Sequence, residues 1–201
     1  MKLDPFYPIF DSSDWIARML PLGIKLVQLR IKNSTNQMLR EEITRARDLT
    51  AEAGCQLVVN DHWQLAIELG CDYVHLGQED LDTADIVSLK KASIKIGIST
   101  HSNDELNRAL QLSPDYVALG PIYPTILKKM AWQPQGLQRL AEWKKLAGHL
   151  PLIGIGGLNT DRVAGAFEAG ADVVAAVTDI TLNADPEARV SEWMSITSRY
   201  R

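Results

Sequence analysis

The sequence predicts a single α/β domain, a (β/α)8 TIM barrel formed by residues 1–201. Three observations predict it. First, segments 23–30, 71–77, 114–120 and 171–177 resemble one another, each a short apolar run entered through a polar or turn residue. Measured from Lys25, Asp72, Asp115 and Asp172, they recur at spacings of 47, 43 and 57 residues, and each gap has room for one more strand and two helices. Second, further strand-like runs occur at 56–59, 95–98 and 152–155, with another at 6–10 ahead of them all. Third, helical patterns fill the intervals. Eight apolar runs alternating with helices imply an all-parallel sheet buried on both faces. Eight units in 201 residues suit a small closed barrel. An open doubly wound sheet is the competing architecture.

In chain order, the strand at 6–10 is followed by a second over 24–27. Residues 36–53 carry Met38, Leu39, Ile43, Ala46 and Leu49 at the spacing of one helical face. Helical patterns recur over 103–112, 135–147, 161–169 and 186–200. Gly54, Gly70 and Gly170 stand where helix C-caps are expected, because glycine adopts the left-handed conformation that ends many helices. No linker, low-complexity tract or second domain interrupts the pattern.

Hydrophobic residues make up 46% of the chain, enough for one sizeable core. A net charge of −4 argues against a general nucleic-acid or acidic-membrane surface, so any anion site must be a local basic cluster. The two cysteines, Cys55 and Cys71, form no metal or redox spacing motif and read as buried thiols of a reducing cytosol. No signal-peptide pattern opens the chain, and no apolar run reaches the roughly 18 residues a membrane span needs. The expected partners are small-molecule substrates in a cytoplasmic protein, with no nucleic acid and no membrane. A homo-oligomer is left open.

Barrels of this class carry their active sites at the C-terminal strand ends, and those ends are polar here. The second strand leads into Gln28, Arg30 and Lys32, which share one face because side chains alternate along an extended chain. Two cations and an amide are costly in a core but suit an anion such as a diphosphate, although a solvated strand exit would also explain them. The third strand ends in Asn60 and Asp61, and the fourth leads to Gln78, Glu79 and Asp80. The fifth gives Ser99, Thr100 and His101, and the sixth opens into residues 120–129 with Thr125, Lys128 and Lys129.

Asp61 and Asp80 are the natural metal pair, since hard carboxylates on adjacent strands suit Mg²⁺ held together with phosphate oxygens. Each also reads as a helix N-cap. Gly156 and Gly157, then Val177 and Thr178, follow strands seven and eight, where this barrel class binds phosphate. A tight turn explains the glycine pair equally well. His75 reads as structural because it lies within a strand, and His101 as either a cap or a catalytic group. Trp63 and Trp132 read as ligand shields or as packing.

Taken in order, 28–32, Val59-Asn60-Asp61, 75–80, 97–101 and 154–157 resemble the thiamine-phosphate synthase family along nearly the whole chain. The resemblance implies a transferase that joins hydroxymethylpyrimidine diphosphate to hydroxyethylthiazole phosphate, releasing pyrophosphate. It implies that Gln28, Leu29, Arg30, Ile31, Lys32, Asn60, Ser99, Lys128 and Gly157 hold the pyrimidine diphosphate. Arg30, Lys32, Lys128 and Ser99 would be the catalytic set. Thr125, Ile126, Leu127, Gly157, Val177 and Thr178 would hold the thiazole phosphate, and Asp61 and Asp80 one Mg²⁺ per subunit. The alternatives are a thiazole tautomerase of the same pathway, a non-catalytic phospho-ligand-binding barrel and a sugar-phosphate isomerase.

One residue departs from the family pattern. The sixth loop usually reads Pro-Thr-x-Thr-Lys, and here Leu127 replaces a hydroxyl expected near the thiazole phosphate. Restoring it with Leu127→Thr should lower the KM for thiazole phosphate about fivefold, the worth of one hydrogen bond, and leave the chemistry intact. An unchanged KM in steady-state assays would refute this reading.

Overall fold

The computed structural model describes residues 3–125 and 132–201. Eight strands run β1 (Phe6–Phe10), β2 (Leu26–Leu29), β3 (Gln56–Asn60), β4 (Tyr73–Leu76), β5 (Lys95–Thr100), β6 (Tyr116–Leu119), β7 (Leu152–Gly154) and β8 (Val173–Ala176). Every pairing is parallel between neighbours in sequence. The first and last strands also pair, Phe6 with Val174 and Tyr7 with Ala175, which closes the barrel and overturns the open-sheet alternative.

Nine α-helices are described: α1 (Ser13–Met19), α2 (Asn36–Glu52), α3 (Trp63–Glu68), α4 (Ile86–Lys91), α5 (Asn103–Gln111), α6 (Gly136–Ala147), α7 (Val163–Glu168), α8 (Thr178–Thr181) and α9 (Pro186–Thr197). Side chains of Ser12, Thr35, Asp85, Ser102 and Asp185 accept N–H bonds at five helix starts. Gly54, Gly70 and Gly170 follow α2, α3 and α7 at positive φ, as expected of C-caps. The helix expected over 161–169 begins instead as a 3-10 turn, Thr160–Arg162, capped by the Asn159 side chain. The last expected helix stops at Thr197 and tightens into a 3-10 turn over Ser198–Tyr200. No described helix is long and apolar enough to cross a membrane.

Period-two alternation along each strand builds two cores. Outward side chains such as Phe6, Val27, Leu29, Val59, Val74 and Ile98 pack against the helices. Inward ones, among them Tyr7, Leu26, Val58, Tyr73, Tyr116, Ile153 and Val173, fill the barrel. Because both faces are buried, the strands read as continuous apolar runs rather than as clean alternations. Two buried tryptophans tie helices to the barrel. The Trp143 ring of α6 donates to Thr100 Oγ1 at 2.8 Å, and Trp193 of α9 stacks on Phe6 with centroids 5.4 Å apart.

The barrel interior is crowded where Tyr116 crosses it. Gly97 pairs in register with both His75 and Tyr116. A Cβ on Gly97 would stand 1.9 Å from Tyr116 Cζ, so the ring occupies space that any other residue would fill. Gly97→Ala should therefore cost about 1–3 kcal/mol or more, the usual penalty for overpacking a core. Urea denaturation measures it, and an unchanged midpoint would mean that the ring moves aside freely.

Candidate active site

A cavity of about 580 Å³ opens at the C-terminal strand ends. It gathers Gln28, Arg30, Lys32, Asn60, Asp61, Asp80, Ser99, Thr125, Gly157, Val177 and Thr178, all expected from the sequence. Closure of the barrel sets the residues from β2 to β5 across from those that follow β6 to β8. Two expected residues leave the site. Leu29 is buried in the outer core and Ile31 packs against it, because alternation turns them away from the side that carries Arg30. The Ile31 carbonyl is also taken by His62 Nε2, at 3.3 Å. Ile126, Leu127 and Lys128 lie outside the described residues.

Asp61 is held where its carboxylate meets two partners. Its φ is +62°, left-handed backbone that non-glycine residues seldom adopt outside turns and functional sites. Its N–H donates to the His75 carbonyl at 2.9 Å, anchoring the strained turn to β4. Its side chain ion-pairs with Lys32 and shares a hydrogen bond with Asp80. Asp80 in turn accepts the Gly77 N–H at 2.9 Å. Neither carboxylate is a helix N-cap: α3 starts from His62 and the turn at Asp80–Asp82 from Glu79, with no side-chain cap bond at either.

The two carboxyls are pushed apart electrostatically. Burial alone would raise Asp61, but the Lys32 ammonium outweighs it and holds the group below the ordinary carboxylate range. Burial and then the charge of Asp61 raise Asp80. Desolvation also lowers His75 to about 4, so its buried ring is neutral at pH 7. His75 was read as structural, yet it lines the cavity as well. Its Nε2 lies 2.7 Å from Ser99 Oγ, and its Nδ1 2.8 Å from the Tyr116 hydroxyl. The signal was present: His75 lies two residues before Gly77 and so shares its inward face.

Gln78, Glu79, His101, Glu105 and Trp132 complete much of the polar mouth. His101 Nδ1 lies 2.8 Å from Glu105 Oε2 and its ring stacks on Trp132, so this pair forms one wall. Trp63 packs on the outer core instead. Two buried polar atoms of the lining, Asn60 Nδ2 and Gln78 Oε1, have no hydrogen-bond partner among the described residues. Such groups are uncommon in folded proteins and suit a ligand that would pair with them.

Across the cavity, the loop after β7 clasps the loop after β6. Gly157 has φ +64°, and a Cβ there would stand 2.4 Å from the Pro124 carbonyl oxygen. Only glycine satisfies both conditions. Arg162 donates to the Gly157 carbonyl and lies 4.4 Å from the Tyr123 ring centroid, fixing the two loops together.

Residues 7–180 match a family described as thiamine monophosphate synthase. The chain belongs to this family. It is 55% identical over 201 residues to the thiamine-phosphate synthase of Rhizobium etli, covering 100% of this chain and 98% of that one. With the thiamine-phosphate synthase of Neisseria meningitidis serogroup B it shares 42% identity over 191 residues, covering 95% and 93%. A solved thiamine phosphate pyrophosphorylase from Pyrococcus furiosus superposes with a TM-score of 0.87 at 26% identity, covering 98% and 96%. A 3-hexulose-6-phosphate synthase, at 16% identity and a TM-score of 0.67, shares the fold alone.

For a thiamine monophosphate synthase family member, the raised Asp80 has a measurable cost. A carboxyl whose folded pKa lies above its unfolded value weakens the fold once it ionises. Asp80→Asn should therefore raise the melting temperature of the metal-free protein at pH 7. The gain should shrink as pH falls through the raised pKa of Asp80 and vanish below the ordinary value of 3.8, where both states are protonated. Thermal melts across pH measure this. A variant less stable than the wild type at pH 7 would contradict the repulsion between Asp61 and Asp80.

Proposed function

We propose that this cavity joins a pyrimidine diphosphate to a thiazole phosphate with Mg²⁺ held at Asp61 and Asp80, in the cytoplasm. Family membership carries the activity itself: thiamine-phosphate synthesis, a transferase reaction of thiamine biosynthesis. Its substrates are small molecules. The observation that carries the finer reading is one cavity with Arg30, Lys32 and a carboxylate pair on one side and Gly157, Val177 and Thr178 on the other. That is one place for a metal-bound diphosphate and another for a phosphate.

The residues fit the ion. Two hard carboxylates in contact carry an excess of negative charge, visible in the raised Asp80. A pair with no third carboxylate, histidine or cysteine grouped with it among the described residues suits Mg²⁺, which keeps waters and takes the rest of its shell from substrate phosphate. When bound, Mg²⁺ would neutralise charge on the departing pyrophosphate. Lys32 already balances Asp61 and lies half exposed at the mouth, free to follow the diphosphate.

The reaction needs charge placement more than proton transfer. Pyrophosphate leaves from a benzylic-type carbon of an electron-rich aminopyrimidine, and the thiazole nitrogen attacks that carbon along a carbocation-like path. Arg30 and Lys32, with Lys128 by family analogy, stabilise the charge that grows on the leaving group. Asn60 Nδ2 offers an unspent donor and Ser99 a hydroxyl. Gly157, Val177 and Thr178 fix the second substrate by its phosphate, at the position where this fold class binds phosphate. The tautomerase and sensor alternatives leave the carboxylate pair and its cations without a task. A cytoplasmic setting agrees with the cysteines, whose buried thiols are pushed up to about 12 for Cys55 and about 11 for Cys71.

Purified protein given both substrates should release pyrophosphate only when Mg²⁺ is present, and Asp61→Ala should abolish release. Arg30→Ala should lower kcat by about 10²–10³, the usual loss of one donor to developing charge. Full release in the presence of a chelator would remove Mg²⁺ from the reading, and no release with Mg²⁺ would remove the reaction.

A further inference from the structure

Beneath the cavity floor, five side chains form one unbroken hydrogen-bonded row. Gln28 Nε2 donates to the Tyr7 hydroxyl at 2.8 Å. The Tyr7 and Tyr116 hydroxyls are 3.1 Å apart. Tyr116 reaches His75 Nδ1 at 2.8 Å, and His75 Nε2 reaches Ser99 Oγ at 2.7 Å. Gln28, Tyr7, Tyr116 and His75 are all buried. Both ends of the row, Gln28 and Ser99, line the cavity.

Counting protons assigns a direction to this row. Tyr7 accepts from Gln28 and holds one proton of its own. Its described partner for that proton is Tyr116, so Tyr7 donates to Tyr116. Tyr116 then donates to His75 Nδ1, which must be bare. The ring proton therefore sits on Nε2 and is given to Ser99 Oγ, leaving the Ser99 hydroxyl proton for the cavity. The reverse direction, or a ring with both nitrogens protonated, makes Tyr116 donate to Tyr7. With the Gln28 amide nitrogen facing Tyr7, the Tyr7 proton is then stranded in a fully buried position among the described residues, a loss that buried polar groups rarely sustain. In the reverse direction Ser99 would also spend its proton on His75.

We propose that Tyr7 and Tyr116 are positioning residues: their hydroxyls hold His75 in its Nε2–H tautomer and so turn the Ser99 proton toward the bound diphosphate. Tautomer control rests on the geometry alone, and the diphosphate as recipient rests on the function proposed above. Gly97 belongs to the same device, because its missing Cβ is what lets the Tyr116 ring cross to His75. The Tyr116 and His75 rings lie stacked with centroids 5.6 Å apart, so the histidine is held by packing as well as by hydrogen bonds.

Two measurements on the full chain test this. The first is ¹⁵N NMR of histidine-labelled wild type at neutral pH, with His75 assigned by the signals lost in His75→Asn. An Nε2–H pattern is expected, and an Nδ1–H or doubly protonated ring overturns the proposal. The second is a mutant cycle. Tyr116→Phe should lower kcat/KM for the pyrimidine diphosphate about ten- to a hundredfold, the worth of a hydrogen bond to a charged group, and leave the KM for thiazole phosphate unchanged. In a Ser99→Ala background the same substitution should cost nothing further, since the proton it directs is gone. A purely structural Tyr116 would produce the same loss in both backgrounds, which overturns the relay. Should the wild type release no pyrophosphate, the reaction falls, and the NMR tautomer still decides the relay.

Discussion

Pairing between β1 and β8 is the constraint on which everything else depends. Once Phe6 lies beside Val174, the sheet has no edge and its inner face encloses a fixed volume. Side chains inside must fill that volume without excess, which is why Tyr116 needs Gly97 opposite it. The outer face must be covered by helices, which is why Leu29, Val74 and Ile98 are as buried as the interior. Polar groups are then admitted in number only where the strands run out. The cavity is polar because it lies where the strands end and the turns that leave them converge.

That convergence brings charges together at a cost. Asp61 sits in left-handed backbone, and burial together with the charge of Asp61 raises the Asp80 carboxyl beside it. Lys32 pairs with Asp61 and holds it low, while its weaker pull on Asp80 does not offset burial and the charge of Asp61. Strain and repulsion of this kind do nothing for the fold. Proteins tend to store such energy at functional sites. Asn60 Nδ2 and Gln78 Oε1, unpaired among the described residues, belong to the same pattern.

Much of this was legible in the sequence because the barrel repeats. Apolar runs, glycine C-caps and polar strand ends recur with each unit, so strands and site positions could be placed without any contact information. What resisted reading depended on contacts between strands. Helices α1, α4 and α8 are too short, at seven, six and four residues, to show a period. Leu29 and Ile31 entered the candidate site through the contiguity of 28–32, although alternation already excluded their side chains. His75 was taken as structural because it lies within a strand. Its part in the cavity appears only when β4, β5 and β6 are laid side by side and Ser99 and Tyr116 arrive at its two nitrogens.

The state of His75 bears on what kind of chemistry the cavity performs. It lies buried at the cavity floor, and its lowered pKa gives no stable imidazolium there at neutral pH. Both of its nitrogens are committed, one to Tyr116 and one to Ser99, so it has no lone pair to spare for a substrate proton. His101 is turned to Glu105 and Trp132 at the mouth. Asp61 is held ionised by Lys32, which weakens it as a base. The lining thus offers fixed charges, donors and a carboxylate pair, with both histidines and Asp61 tied down. An ionising substitution in which pyrophosphate departs and a ring nitrogen attacks asks for that arrangement, whereas an isomerisation through proton abstraction asks for a free base that these residues do not supply.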